Sequence, residues 1–348
     1  MNENVILGSK FARKVNKNYG VITYSGTLAI ELALKCLNFE KGDNILISSE
    51  VCSSIINTIK KVGLNPVIVV PKNNIVLTDE DIDCVLNRIE ISGIMLVHQY
   101  GIINNINKNK YKKMKIKIIE DIAQSWIIDK MSSIIGVNSD IVVTSFGKTK
   151  PLSYGIGGGI FYNNKSFEKY MDFYDNISRE KEEILYSYMY PLCSNIDENQ
   201  LMNKANKIIH TQQKNVIKYF NILKKYNYIN FINIDNITNN SWHRLPIYFT
   251  NKKIFDDFII MADKYKLKYQ TQHEKRLYEL PISNDLIKFN LSKEERYFVL
   301  LRTRNINIRR QLYIIEKIIK IIEKKYYVCY NNSDFYKMLN KKINGVIK

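Results

Sequence analysis

Three short segments of this chain carry residues whose types could do chemistry together. The first is residues 25–27, a serine, a glycine and a threonine that precede a strong helical pattern. A helix start offers free main-chain N–H groups and the positive end of the helix dipole, so this segment could bind a phosphate group. Serine and threonine are also favoured as plain helix caps, and for this segment alone that alternative stays open.

The other two segments place an acid and a base at the ends of apolar runs. Asp121 ends the run IKIIED, where a buried carboxylate requires a cation or hydrogen-bond donors, although helix capping or metal binding would also explain it. Lys150 follows the run IVVTSF and could also be a solvated surface charge. The fragment GKT is not a P-loop, because Val142 stands where that motif needs a glycine. The glycines after Tyr154 open no helix, which argues against a dinucleotide fingerprint.

Together these groups match the three anchor points of pyridoxal 5'-phosphate (PLP). PLP has a phosphate, a ring nitrogen and an aldehyde. Residues 25–27 could hold the phosphate, Asp121 could face the ring nitrogen, and Lys150 could bind the aldehyde. The combination therefore predicts a PLP site more strongly than any one segment does.

Alternating strand and helix patterns must position these groups. The alternation of β-branched apolar runs with helical patterns predicts a parallel sheet covered by helices on both faces. Such sheets bind ligands at the carboxyl ends of their strands, where Asp121, Ser145 and Lys150 fall. The predicted strands are residues 44–48, 66–70, 93–98, 116–121, 141–146, 158–162 and 244–249, and the predicted helices are residues 53–62, 79–88, 203–226, 253–264 and 309–325. We predict a large cofactor-binding domain over residues 1–235, a small C-terminal domain over 236–330 and a basic tail over 331–348.

Composition places the chain among ordinary soluble globular proteins. It has 348 residues, 45% of them hydrophobic, with no signal-peptide pattern and no apolar run long enough to span a membrane, so we expect a cytoplasmic protein. Its five cysteines show no paired spacing, so we predict neither a metal site nor a disulfide framework. The net charge is +18, and lysine, asparagine, isoleucine and tyrosine are all abundant, as in proteins from AT-rich genomes. From Arg302 onward twelve basic residues oppose three acidic ones, which suits an anionic partner, either a nucleotide-linked substrate or nucleic acid, and charge alone does not choose between them.

The motifs SGTLAIELAL, IIEDIAQS and SFGKTKPL, in this order and spacing, resemble the DegT/DnrJ/EryC1/StrS sugar aminotransferases of PLP fold type I. The resemblance is continuous from about residue 12 to 162 and weaker from 244 to 325. It implies an α/β fold in which a mostly parallel central sheet is flanked by helices and followed by a smaller C-terminal α/β domain. It also implies a PLP-dependent aminotransferase, acting as a homodimer, that moves an amino group from a donor, expected to be glutamate, to a nucleotide-linked keto-sugar.

The resemblance also implies a role for each matched position. Lys150 would be the catalytic residue and would bind the cofactor's aldehyde covalently, while Asp121 would bind the ring nitrogen and Gln124 the ring hydroxyl. The remaining predicted cofactor-binding residues are Ser25, Gly26, Thr27 and Ser145 around the phosphate and Cys52 against the ring. Lys148 could add a charge near the phosphate, and His98 is expected to be structural.

Two departures from the family's pattern stand out. Cys52 occupies the position that usually carries an aromatic side chain stacked on the cofactor, so it offers less contact area. The stretch after Tyr162 lacks the segment by which family members reach the phosphate bound by the neighbouring subunit. These departures leave room for another PLP-dependent reaction, on an amino acid or a small non-sugar ketone. A non-enzymatic PLP-fold protein that binds a partner through its basic tail is a third possibility. Lys150 argues against the dehydratase branch of the family, whose members carry histidine there.

Overall fold

Two β-sheets with their flanking helices organise the chain. The computed structural model describes residues 3–72, 75–126, 134–153, 155–170, 197–232, 234–271, 286–292 and 295–330. The strands are β1 (Tyr19–Thr23), β2 (Asn44–Ser48), β3 (Asn65–Val70), β4 (Gly93–Val97), β5 (Lys117–Asp121), β6 (Ile141–Ser145), β7 (Gly158–Tyr162), β8 (Asn230–Phe231), β9 (Arg244–Phe249), β10 (Tyr269–Thr271), β11 (Lys288–Asn290) and β12 (Tyr297–Arg302). The α-helices are α1 (Glu3–Lys14), α2 (Gly26–Cys36), α3 (Ser53–Lys61), α4 (Asp79–Leu86), α5 (Lys108–Lys113), α6 (Glu198–Leu223), α7 (Lys252–Lys264) and α8 (Ile308–Tyr330).

The larger sheet has eight strands in the order β1-β7-β6-β5-β4-β2-β3-β11. Strands β2 to β6 and β11 run parallel to one another, whereas β7 is antiparallel to both β1 and β6. Helices cover the sheet, and the predicted α/β fold with a mostly parallel central sheet is confirmed. Parallel strands place their carboxyl ends at one edge, so the ends of β4, β5 and β6 lie side by side.

Alternation along the central strands sends successive side chains into two different cores. Ile119 packs in the cluster formed with α2 and α3, whereas its neighbour Ile118 packs in the cluster on the opposite face, with Ile82 and Val85 of α4. This double burial explains why the strand sequences are almost continuously apolar rather than alternating. It also fixes the face toward which each polar residue at a strand end points.

Helix caps explain several of the boundaries. Helix α4 begins with a capping box, because the Thr78 side chain accepts from Asp81 N while Asp81 Oδ2 accepts from Thr78 N. Helix α6 begins at Glu198, earlier than the predicted residue 203, because the Asp197 side chain caps it by accepting from the main chain of Asn199 and Gln200. Helix α8 continues beyond the predicted residue 325 to Tyr330.

The smaller sheet has four antiparallel strands in the order β10-β12-β9-β8. It packs with α6, α7 and α8 around a core that includes Tyr219, Phe258 and Ile315. Strand β11 lies within the residue range predicted for the small domain, yet it pairs with β3 of the larger sheet. The predicted division of the chain at residue 235 stays a prediction, and the predicted tail lies outside the described residues. None of the described helices is long and apolar enough to cross a membrane.

Candidate active site

One cavity of about 260 Å³ opens at the carboxyl ends of the central strands, between them and the first turns of α2 and α3. All eight residues predicted from the sequence to bind the cofactor line this cavity, and they are Ser25, Gly26, Thr27, Cys52, Asp121, Gln124, Ser145 and Lys150. They come from four separate stretches of the chain, residues 25–27, 52, 121–124 and 145–150. The sheet edge brings them together, as expected for a parallel α/β sheet.

The N-terminus of α2 forms one end of the cavity. Ser25 is the N-cap residue, and its Oγ accepts from the main-chain N–H of Leu28 over 3.1 Å. Gly26 lies so close to β6 that a Cβ built on it would meet the Cβ of Ser145 at 2.8 Å. A glycine is therefore required at this position, and the close approach leaves the first N–H groups of the helix facing the cavity, where they suit an anion.

Asp121 lies at the end of β5 with its carboxyl group toward the cavity. Its Oδ1 accepts from the main-chain N–H of Ala123 over 2.8 Å, and Oδ2 accepts no hydrogen bond from the described residues. Burial raises the pKa of Asp121, against the lowering effects of that hydrogen bond and of the Lys150 charge. A buried carboxylate with a free oxygen is suited to a cationic ligand that carries one N–H donor.

The neighbouring residue, Glu120, faces the opposite side of the sheet and is fully buried. Its Oε1 lies 2.7 Å from Lys108 Nζ and also accepts from the main-chain N–H of Gly136, while Oε2 lies 3.0 Å from His98 Nε2. Lys17 Nζ lies nearby and donates to the Gly136 carbonyl over 2.8 Å; burial lowers its pKa to about 8 although Glu120 opposes the shift. His98 is thus a structural partner of Glu120 and lines no part of the cavity.

Gln124 forms the wall beyond Asp121. Its Oε1 accepts from the main-chain N–H of Tyr100 over 3.0 Å, and its Nε2 donates to Gln99 Oε1 over 3.2 Å. Tyr100 and Gly101 adopt positive φ values of 56° and 82°, in a tight turn that follows β4. The turn brings the Gln99 side chain to the cavity beside Gln124.

Lys150 lies in the loop that leaves β6. The loop is tightened by hydrogen bonds from Lys150 N to the Gly147 carbonyl, 2.9 Å, and from Gly147 N to Ser145 Oγ, 3.3 Å. From the other side, Arg304 Nη1 donates to the Lys150 carbonyl over 3.0 Å. Lys148 is exposed and is not among the residues that line the cavity.

Cys52 is the N-cap of α3, and its exposed thiol borders the cavity. Ser54 Oγ donates to Cys52 Sγ over 3.2 Å. A thiol presents much less surface than an aromatic ring. A flat ligand in the cavity would therefore contact neighbours of Cys52 such as Ile55 more than Cys52 itself.

The donor and acceptor set fits PLP. The α2 N-terminus and the Ser145 hydroxyl suit its phosphate, Asp121 suits its ring nitrogen, and the Lys150 amine suits its aldehyde. Thr144, which also borders the cavity, has a buried hydroxyl with no hydrogen-bond partner among the described residues, so polar capacity remains there for a ligand. Within the described ranges no cluster of three or more histidine, cysteine or acidic residues could hold a metal ion.

Three polar residues of the cavity were not predicted: Gln99, Ser54 and Thr144. Gln99 lies two positions after the end of β4, and Thr144 is the last residue but one of β6. The rule that located Asp121, polar residues at the carboxyl ends of buried strands, would have found both of them.

Comparison with known proteins gives a family match over most of the chain. The sequence profile described as the DegT/DnrJ/EryC1/StrS aminotransferase family matches residues 2–288. The GDP-perosamine synthase of Escherichia coli O157:H7 is 27% identical over 161 residues, which cover 45% of this chain and 44% of that enzyme. The match to this curated relative therefore spans less than half of its length.

Solved structures share the fold over nearly the whole chain. A Helicobacter pylori aminotransferase involved in the biosynthesis of pseudoaminic acid superposes with a TM-score of 0.72 at 15% identity, covering 93% of this chain and 92% of that one. A Streptococcus pneumoniae protein assigned as a sugar aminotransferase, in its PLP form, gives a TM-score of 0.70 at 15% identity, covering 93% and 92% of the two chains. At this identity the superpositions establish the fold.

Proposed function

Because this chain belongs to the DegT/DnrJ/EryC1/StrS aminotransferase family, we propose that it is a PLP-dependent aminotransferase that acts on a nucleotide-linked keto-sugar. The observation that carries the proposal is that the eight residues chosen from sequence motifs line a single cavity at the sheet edge. The enzyme named GDP-perosamine synthase among the relatives supports a nucleotide sugar as the acceptor. Glutamate is the proposed amino donor, and a cytoplasmic homodimer is the proposed form of the protein.

The cofactor would be held at both ends by groups that the chain places in advance. The free N–H groups at the start of α2, with the hydroxyls of Ser25, Thr27 and Ser145, would bind the phosphate dianion, which is favoured by the helix dipole. Asp121 Oδ2 would accept the N–H of the ring nitrogen and keep it protonated. Gln124 would hydrogen-bond the ring hydroxyl.

Lys150 would carry the chemistry through its Nζ atom. PLP, when bound, supplies an electron-withdrawing ring that makes the Cα proton of an attached amino acid acidic. The Lys150 amine would hold the cofactor's aldehyde in the resting enzyme. Once the donor's amine has taken its place, Lys150 would move the donor's Cα proton as general base and then general acid. The low-dielectric wall formed by Ile30, Ile55, Val97 and Val143 excludes water around these steps.

A half-reaction experiment tests this proposal with a matched pair of lysine variants. Purified protein loaded with PLP should absorb near the wavelength of a protein-bound cofactor, and adding glutamate should convert that absorption to the one of pyridoxamine phosphate. Lys150→Ala should abolish the conversion. Lys148→Ala should leave it unchanged, because Lys148 lies two positions away, is exposed and does not border the cavity.

Two outcomes would contradict the proposal. Equal loss of the conversion in both lysine variants would show that position 150 has no special role. The protein could instead bind PLP through Lys150 and aminate small ketones but no nucleotide-linked keto-sugar. That result would contradict the proposed acceptor and leave the proposed cofactor in place.

A further inference from the structure

A group of three arginines flanks the cavity on the side of the smaller sheet. Arg244 begins β9, Arg302 ends β12, and Arg304 follows two positions later; we call them the arginine cluster. Arg302 and Arg244 are direct partners in the antiparallel register of β12 and β9. Directly opposed residues of a sheet point to the same face with Cβ atoms about 4.5–5.5 Å apart. Two like charges in such positions repel each other, so the pairing requires compensation from elsewhere.

Among the described residues, only neutral groups accept hydrogen bonds from these arginines. Arg244 donates to Gln270 Oε1 over 3.0 Å and to the His243 carbonyl over 2.8 Å, and Arg304 donates to the Lys150 carbonyl. No carboxylate of the described ranges forms an ion pair with any of the three. Arg302 Nε is buried and has no hydrogen-bond partner among the described residues either. The cluster therefore keeps both positive charge and donor capacity for a ligand.

His243 adds a second unsatisfied group beside the cluster. Its side chain is buried, and its Nδ1 has no hydrogen-bond partner among the described residues. Burial, followed by the charges of Arg244, Lys150 and Arg304, lowers the pKa of His243 well below its usual value, so the ring is neutral. Burial and the neighbouring Arg302 and Arg304 likewise lower the pKa of Arg244 to about 10. In both groups burial is the main cause of the lowered pKa, and the neighbouring positive charges add to it.

The cluster lies against the wall of the candidate active site. Arg304 reaches the main chain of Lys150 itself. The strand that begins with Arg244 is preceded by residues packed on the turn after β4, since a Cβ on Gly101 would meet His243 N at 2.7 Å. Ser241 Oγ also donates to the Gln124 carbonyl over 3.2 Å. The cluster therefore lies next to the loop that carries Lys150.

We propose that the arginine cluster binds the diphosphate group of the nucleotide-linked acceptor. This inference rests on the proposed function and adds to it the residues that select the acceptor. Guanidinium groups bind phosphate oxygens through two parallel N–H···O bonds, and a diphosphate carries at least two negative charges to set against three positive ones. A single carboxylate, such as that of an amino donor, would leave most of the cluster's charge uncompensated in a half-buried site.

Calorimetric titration with inorganic pyrophosphate, GDP, UDP and dTDP tests the proposal without any turnover. The protein is first saturated with PLP, so that the N-terminus of α2 is not available to the probes. We expect binding of pyrophosphate and of at least one nucleoside diphosphate, with a dissociation constant raised at least about tenfold in Arg302→Gln, since that variant loses a charge-assisted hydrogen bond to the phosphate. Arg309→Gln, an exposed arginine in the same stretch, should bind like the wild type. Equal binding by Arg302→Gln and the wild type would overturn the proposal.

The amino-donor half-reaction distinguishes this proposal from a donor-carboxylate site and from failure of the proposed function. Arg302→Gln should leave the glutamate concentration for half-maximal conversion unchanged, because no diphosphate takes part in that step. If that concentration rises while pyrophosphate binding persists, the cluster binds the donor's carboxylate and the proposal is wrong. If no transamination occurs at all but Arg302→Gln still loses pyrophosphate binding, the proposed function fails and the anion site stands. Arg244→Gln, assessed by the same titration, replaces Arg302→Gln if the latter does not fold.

Discussion

His98 Nε2 lies 3.0 Å from Glu120 Oε2 in a part of the interior where neither side chain is exposed. The main-chain N–H of Asn104 donates to His98 Nδ1 over 2.9 Å, so Nδ1 must accept and Nε2 must carry the proton. His98 is thus neutral, and the Glu120 carboxylate takes its charge compensation from Lys108, whose Nζ lies 2.7 Å from Oε1. This network supports the end of β5 from the side opposite to the cavity.

Glu120→Gln should destabilise the protein strongly. The change leaves the Lys108 ammonium buried without its anion, which typically costs about 3–5 kcal/mol of the free energy of unfolding. Urea unfolding at pH 7 measures it. Glu90→Gln removes an exposed carboxylate and should change the free energy of unfolding by no more than about 0.5 kcal/mol. Similar values for the two variants would show that the buried pair contributes little.

The same variant should reveal an acid dependence of stability. Burial raises the pKa of Glu120, but the hydrogen bonds from His98 and Lys108 and the charge of Lys108 outweigh it and lower the pKa to about 2. A glutamate in the unfolded chain has a pKa of about 4.3. The contribution of Glu120 to the free energy of unfolding is therefore complete above that pH and is lost as the pH falls toward about 2. The difference in unfolding free energy between the wild type and Glu120→Gln should stay constant from about pH 7 to 5 and shrink below. A difference that widens on acidification would contradict this sign.

Gly26→Ala should weaken PLP binding although alanine is the better helix former. The added Cβ would meet Ser145 Cβ at 2.8 Å, so helix α2 or strand β6 must move and the phosphate-binding N–H groups move with it. We expect a PLP dissociation constant raised at least about tenfold, a loss of about 1.4 kcal/mol, in a fluorescence titration. Gly147→Ala is the matched control, because its nearest neighbour, Ser145 Oγ, lies 3.5 Å from the added Cβ. Equal effects of the two substitutions would argue against the steric account.

Cys52 should be alkylated by iodoacetamide in PLP-free protein and protected by PLP. The thiol is exposed and borders the cavity, so a bound cofactor limits its access. Cys36 is the internal control, because burial raises the pKa of its thiol to about 12 and keeps it protonated and unreactive. Peptide mapping by mass spectrometry distinguishes the two. A rate of Cys52 alkylation that does not respond to PLP would place the cofactor elsewhere.

Asp121→Asn should separate cofactor binding from catalysis. The amide keeps the shape of the side chain but removes the negative charge that would hold the ring nitrogen protonated. We expect the glutamate half-reaction to slow by about 10²–10³-fold in stopped-flow absorbance, the usual effect of removing one preorganised electrostatic group. The Lys150-dependent absorption of bound PLP should persist. An unchanged half-reaction rate would contradict the role assigned to Asp121.

Local patterns allowed the central part of the fold to be predicted. The apolar runs of β5 and β6 are long enough and β-branched enough to identify strands, and the polar residues after them lie at the cavity because parallel strands end at one edge. The capping box of α4 was predictable for a similar reason, since its two partners are three residues apart.

Features that depend on pairing between distant segments were not predictable. Strand β11 has three residues and becomes a strand only by pairing with β3, more than two hundred positions earlier. Strand β1 includes a glycine and is held by β7 in the same way. The arginine cluster exists because the register of β9 and β12 sets Arg244 opposite Arg302, and a register between strands so far apart is not visible in either sequence alone.

The last two residues of β5 have a consequence for how this strand can change in length. Glu120 and Asp121 are adjacent acids, yet one completes a buried ionic network and the other faces the cavity, because successive side chains leave a strand on opposite faces. Inserting or deleting one residue within β5 would exchange the two carboxyl groups and impair the support and the cavity at once. Length variation among relatives should therefore fall in the loops on either side of this strand and spare its interior.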